Sequence, residues 1–140
     1  MQAYHHIVKY YECDRMGVTH HSNYVRIMEE ARIDWMDQIG YGYERMEAEQ
    51  VVSPVMAIAC KYMHPTTFKD DIAVSVTVAE MSKLKISFAY TMRVGEQVVC
   101  TASSTHCFLS DNRPVAIEQR FPELYEAINR QMNTDSGALK

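Results

Sequence analysis

Glu12-Cys13-Asp14-Arg15-Met16-Gly17-Val18-Thr19-His20-His21-Ser22-Asn23-Tyr24 runs straight into Val25-Arg26-Ile27-Met28-Glu29-Glu30-Ala31-Arg32, and this junction decides how the rest of the chain is read. Gly17 marks a loop, and Ser22 and Asn23 are both favoured at the N-cap position, so a helix is expected to begin there. Through about Gly40 the apolar residues Tyr24, Ile27, Met28, Ala31, Trp35 and Ile39 recur at three- and four-residue spacing. Glu30, Arg32, Asp34 and Asp37 fall largely elsewhere, and Gly40 supplies a C-terminal stop. One long helix therefore buries one broad face. Asp14 stands just ahead of it. A carboxylate opposite the uncapped N–H groups of a helix start is set up to act on an ester-type carbonyl, which is the geometry of acyl transfer.

Outward from this junction, residues 4–13 read as a first strand, and Tyr41 to Gln50 as a short helical turn or lid. Beyond them the pattern changes to period two. Val55, Ala57 and Ala59 oppose Met56, Ile58 and Cys60; Ile72, Val74, Val76 and Val78 oppose Ala73, Ser75, Thr77 and Ala79; Leu84, Ile86, Phe88, Tyr90, Met92 and Val94 oppose Lys85, Ser87, Ala89, Thr91 and Arg93. These are the marks of half-buried antiparallel strands. Gly95-Glu96 suits a two-residue hairpin with glycine first, and the next strand runs from Gln97 to about Leu109, so the order reads as a meander. Pro122 opens a short terminal helix over 121–132, and the polar, small residues 133–140 read as a disordered tail. The expectation is an α+β fold in a single domain over 1–132: a five-stranded antiparallel sheet curled around one long helix, plus a short C-terminal helix. Such a sheet leaves an edge whose pairing with a second copy predicts a homodimer or a dimer of dimers, that is, a homotetramer.

Composition narrows the function classes. A chain of 140 residues with net charge −4 and no run of Lys or Arg has no electrostatic footprint for nucleic acid or an anionic membrane surface. No cationic leader precedes an apolar core, and no stretch approaches ~18 uninterrupted apolar residues, so membrane insertion is not expected. Cys13, Cys60, Cys100 and Cys107 show no paired short spacing, which favours reduced thiols and a cytoplasmic setting.

Tyr11, Asp14, Gly17, Val18, His21, Asn23 and Tyr24, followed by Arg26, Glu29, Ala31 and Arg32, resemble the hot-dog fold acyl-CoA thioesterases of the 4-hydroxybenzoyl-CoA type, including the bacterial Tol-Pal-associated members. The strand order and Arg113-Pro114-Val115 extend the likeness over most of the chain. The resemblance implies hydrolysis of an acyl-CoA thioester with neither metal nor organic cofactor. It places the active-site aspartate on Asp14 and the oxyanion donor on the backbone N–H of His21. Gly17, Val18, Asn23, Tyr24 and Glu29 are then the substrate-binding positions. Cys13 stands where a threonine or small polar residue is usual and His20 where an aromatic is usual; both departures bear on substrate preference.

Several roles stay open at the level of sequence. Asp14 can attack the acyl carbon or take a proton from water, and an aspartate just before a helix is also a common turn residue. The His21 side chain can bind substrate, orient Asp14 or only pack. Glu29 can lie near the site or pair with Arg32, and Glu29 and Glu30 are the fallback bases. Six histidines invite a metal reading, but adjacent histidines on a strand point to opposite faces and no spacing matches a structural zinc site. Met16 and Met56 are candidates for the wall of an acyl tunnel; Lys61, Lys69, Lys83, Lys85 and Arg113 are candidates for the coenzyme A phosphates. Two rivals complete the field. One is a hydratase or dehydratase of 3-hydroxyacyl thioesters that would use His21 with Glu29. The other is a non-catalytic module binding an acyl thioester or acyl carrier protein.

Overall fold

The computed structural model describes residues 1–138. Strand β1 (Tyr4–Ile7) leads through a 3-10 turn at Tyr10–Glu12 and the Asp14 loop into helix α1 (Ser22–Gln38), then the short α2 (Tyr43–Ala48). Four strands follow: β2 (Val55–Tyr62), β3 (Asp71–Met81), β4 (Lys85–Val94) and β5 (Gln97–Cys107). A two-stranded ribbon, β6 (Leu109–Ser110) and β7 (Arg113–Pro114), precedes α3 (Ile117–Arg120) and α4 (Pro122–Ala138).

The sheet is antiparallel throughout, in the order β1-β3-β4-β5-β2. The meander expectation therefore holds for β3-β4-β5 and fails for β2, which pairs with the far side of β5 instead of lying beside β3. Consecutive strands usually neighbour one another, but residues 63–70 are too long for a hairpin and carry the chain from the edge strand β2 past β5 and β4 to the inner strand β3. The hairpin at Gly95-Glu96 forms as read, with Gly95 at φ +61° and Val94 opposite Gln97.

Register sets which side chains face α1. Tyr4, Val74, Met92, Cys100 and Tyr62 form one row across all five strands, and Val78, Phe88, Ser104 and Ile58 form another. Against these rows α1 buries Tyr24, Ile27, Met28, Ala31, Trp35 and Met36, with Trp35 edge-on to Phe88 at 5.3 Å, while Leu124 and Ile128 of α4 close the core. A fully buried Leu or Ile side chain is worth about 1.5–3 kcal/mol relative to exposure. Arg32 departs from the expected outer face: it is buried, because its head group reaches the hydroxyls of Tyr43 and Tyr90.

Four further expectations are corrected. The helix starts at Ser22 as expected, but its N-cap is His21, whose backbone is already helical (φ −55°, ψ −30°), so neither Ser22 nor Asn23 caps it. Strand β2 is not half-buried: Val55, Met56, Ile58 and Tyr62 are all exposed in the single chain, although Cys60 meets Met28 and Tyr62 packs edge-on against Tyr24 of α1. Helix α4 continues six residues beyond Met132 to Ala138, so the disordered tail over 133–140 is not observed up to that point, and Leu139 and Lys140 lie outside the described residues. Leu84, read as part of a strand face, sits in the tight turn before β4 and is exposed.

Candidate active site

The loop between Cys13 and Thr19, which pair as an isolated bridge, is shaped by three local hydrogen bonds. Asp14 N–H donates to the Val18 carbonyl at 2.8 Å, and Gly17 N–H to the Asp14 carbonyl at 3.0 Å. Asp14 Oδ1 accepts from Met16 N–H at 2.8 Å, a side-chain turn that aspartate makes readily. Gly17 adopts φ +78°, a left-handed conformation that costs a side-chain-bearing residue about 1–2 kcal/mol. Asp14 is thus both a turn residue and a carboxylate with one oxygen taking no donor from the described chain.

Glu12 ties this loop to the helix start. Its backbone carbonyl accepts from His20 N–H at 2.8 Å and from Asn23 Nδ2 at 2.9 Å. Its buried carboxylate accepts from Lys9 N–H at 2.7 Å and pairs with the buried His6 ring at 2.8 Å. Although burial works the other way, those partners hold the Glu12 carboxyl below its ordinary pKa. From the far side, Thr66 accepts and donates across to Thr19, and its hydroxyl lies 2.9 Å from the Tyr24 hydroxyl. Tyr62 donates to the His21 carbonyl at 3.2 Å and packs edge-on against Tyr24. Burial, with Cys60 adding, pushes the Tyr62 phenol up to about 12, so it acts as a neutral donor.

At the helix start the backbone donors divide in a way that matters. Ser22 N–H finds His20 Nδ1 at 3.2 Å, Asn23 N–H the His20 carbonyl at 3.0 Å, and Tyr24 N–H the His21 carbonyl at 3.2 Å. His21 N–H has no acceptor among the described residues. His21 itself lines a cleft of ≈ 460 Å³ together with Asp14, Met16, Val18, Thr19, Tyr24, Tyr62, Met63, His64 and Pro65.

The structure therefore brings together Asp14, Val18, His21 and Tyr24, with Met16 beside them, as the sequence reading placed them. It does not bring in the rest. Gly17 lines a neighbouring depression with Tyr10, Cys13, Thr67 and Phe68; Asn23 is occupied in holding Glu12; Glu29 is exposed on α1 and lines no part of the cleft. Glu30 is engaged by the Tyr4 hydroxyl, and Met56 lies on the open β2 edge. None of Lys61, Lys69, Lys83, Lys85 and Arg113 lines the cleft. The sequence reading missed the opposite wall, Tyr62 to Pro65; the signal was the eight-residue link at 63–70 between two strands, longer than any hairpin needs. A second cavity of ≈ 400 Å³ lies between the β3–β4 turn and α3 and α4 and shares no lining residue with the Asp14 cleft. No three His, Cys, Asp or Glu side chains group as metal ligands among the described residues.

Residues 8–130 match the thioesterase-like superfamily over most of the chain. The chain belongs to that family. It is 29% identical over 121 residues to a candidate esterase of Aquifex aeolicus, covering 86% of this chain and 94% of that protein. It is 28% identical over 126 residues to the candidate acyl-CoA thioesterase YneP of Bacillus subtilis, covering 88% and 91%. In fold it is similar to the DHNA-CoA thioesterase of Staphylococcus aureus, with a TM-score of 0.90, 24% identity, and coverage of 98% of this chain and 94% of that one. The fold is a hot dog, and thioester hydrolysis is the reaction class that membership assigns.

Proposed function

We propose that this thioesterase hydrolyses an acyl-CoA thioester at the Asp14 cleft. The observation that carries the reading is the unengaged backbone N–H of His21, a residue that lines the same cleft as Asp14. The substrate carbonyl accepts from His21 N–H, whose alignment with the helix dipole favours the oxyanion that develops on attack. Asp14, held by the Met16 turn, either takes a proton from the attacking water or attacks the acyl carbon itself. Coenzyme A leaves as a thiolate, and neither metal nor cofactor takes part. The hydratase reading needs Glu29 beside His21, and Glu29 lies outside the cleft, so it has no support in this geometry.

The exposed apolar residues of β2 support pairing of that edge with a second copy, giving a homodimer or a dimer of dimers whose partner chain covers the open side of the cleft. Four free thiols fit a reducing cytoplasm, and among the described residues no helix is long and apolar enough to cross a membrane. Acyl carrier protein is the alternative thioester donor.

The test is release of free thiol from a panel of acyl-CoA esters by the parent chain and by Asp14→Asn. Asparagine keeps an oxygen for Met16 N–H but cannot take a proton, so turnover is expected to fall by about 10²–10⁴ with the fold intact. Full turnover by Asp14→Asn would remove Asp14 from the role. No turnover of any ester by the parent would favour the binding-module reading.

A further inference from the structure

His6 and Glu12 are buried titratable groups that the hydrolytic step does not use, since neither lines the Asp14 cleft. They meet where β1, the 3-10 turn and α1 come together. His6 Nε2 lies 2.8 Å from Glu12 Oε1, and His6 Nδ1 lies 3.5 Å from Glu30 Oε2 on α1. The Tyr4 hydroxyl donates to that same Glu30 oxygen at 2.6 Å, and Glu12 Oε1 also accepts from Lys9 N–H at 2.7 Å. An ion pair withdrawn from water adds little net stability, because desolvation offsets the attraction. The place of this one in the fold calls for another reason.

The backbone of Glu12 supplies it. The open N–H of His21 belongs to the His20–His21 peptide, and the bonds on both sides of that peptide lead back to one atom. Ahead of it, His20 N–H donates to the Glu12 carbonyl at 2.8 Å. The peptide's own carbonyl, on His20, accepts from Asn23 N–H at 3.0 Å, and the Asn23 side chain donates to the same Glu12 carbonyl at 2.9 Å. Glu12 also stands two residues before Asp14, so the anchor of the donor peptide and the catalytic carboxylate belong to one short segment.

We propose that Glu12, held by His6, is a positioning residue for hydrolysis: its clamped carboxylate fixes its carbonyl, and the carbonyl fixes the His20–His21 peptide relative to Asp14. The inference rests on the hydrolytic reading of the cleft. Glu30 and Tyr4 steady the His6 ring from its other side. A displacement of about 1 Å in a reacting geometry can cost about 100-fold in rate even when the altered residue is remote.

The test measures kcat and KM of the full chain on an acyl-CoA ester that the parent hydrolyses, at a temperature below the melting transition of each variant. His6→Phe keeps a ring without its nitrogens, and Glu12→Ala removes the carboxylate. Each is expected to lower kcat about tenfold or more with KM unchanged, because the donor peptide matters most once the oxyanion forms. His6→Gln keeps a nitrogen for Glu12, and Glu12→Gln keeps an oxygen for Lys9 N–H; both are expected to recover most of that loss. Should the single variants fail to fold, His6→Leu combined with Glu12→Met replaces the pair by apolar side chains, an exchange often neutral for stability, and is expected to fold with the same loss of kcat. A lowered Tm with parental kcat, or Gln variants no better than Phe and Ala, means that the pair is structural only and overturns the proposal. Asp14→Asn is assayed alongside. If it loses turnover while His6→Phe keeps parental kcat, the positioning role falls and the hydrolytic reading stands; full turnover by Asp14→Asn brings down both.

Discussion

His106 makes stability depend on pH in a way that can be worked out from its surroundings. The ring is 1% exposed and accepts from Ser104, and burial, reinforced by Arg32, lowers its pKa from 6.5 to about 4. In the unfolded chain the same ring takes a proton near its ordinary value, so below that point the unfolded state binds a proton that the folded state refuses. The sign follows: the contribution is fully present above about pH 6.5, is lost as pH falls, and stops changing below about pH 4. A gap of about 2.5 pH units at about 1.36 kcal/mol each amounts to roughly 3 kcal/mol, a large share of a typical domain's stability. Urea unfolding at pH 7, 6, 5 and 4 is expected to show the free energy falling by up to about 1.4 kcal/mol per pH unit over this window. His106→Gln cannot titrate, and although it alters packing at every pH, its slope is expected to be shallower by that amount. Equal slopes in the parent and the variant would refute the reasoning, since Glu12, whose carboxyl titrates at lower pH, contributes to both alike.

Asn23→Ala removes one hydrogen bond to the Glu12 carbonyl, which keeps its bond from His20, so unfolding measurements should show a loss of about 1 kcal/mol. Because the helix start then shifts against Asp14, steady-state kinetics on any accepted ester should show kcat falling about tenfold or more. Gly17→Ala forces a side chain into φ +78°, and although a Cβ there meets no neighbouring atom, thermal melts should register about 1–2 kcal/mol of strain. Ile58→Lys puts a charge on the exposed inner face of the β2 edge, and light scattering coupled to size exclusion should find monomer where the parent elutes as a larger species.

Much of the fold could be read from periodicity. The long helix, the two-residue hairpin at Gly95 and the inward rows of β3 and β4 all follow from spacing alone, because one face of each is buried within the same chain. Strand β2 could not be placed that way. Its alternation is real, but the cover for its inner face is not supplied by its own chain, and its partner strand is set by the path of residues 63–70, not by local pattern. Arg32 misled for a related reason: its charge argued for solvent, and only the tertiary meeting with Tyr43 and Tyr90 explains its burial. At the site, Asp14 and His21 were legible from the junction between loop and helix, whereas Asn23 looked like a ligand-facing residue and is a brace for Glu12. For Tyr62 and the wall that follows it the only signal was the length of the 63–70 link, since they reach the cleft through topology.

The segment at 63–70 joins the edge strand β2 to the inner strand β3 on its way past the helix start, with Met63 N–H bonded to Val99 of β5 and Lys69 N–H to Val8 just past β1. Loosening either anchor would therefore disturb the wall of the cleft that Met63, His64 and Pro65 supply. Thr19 N–H is bonded to Thr66 of the same segment and His20 N–H to Glu12, so slow hydrogen exchange at both should persist for as long as the sheet itself holds.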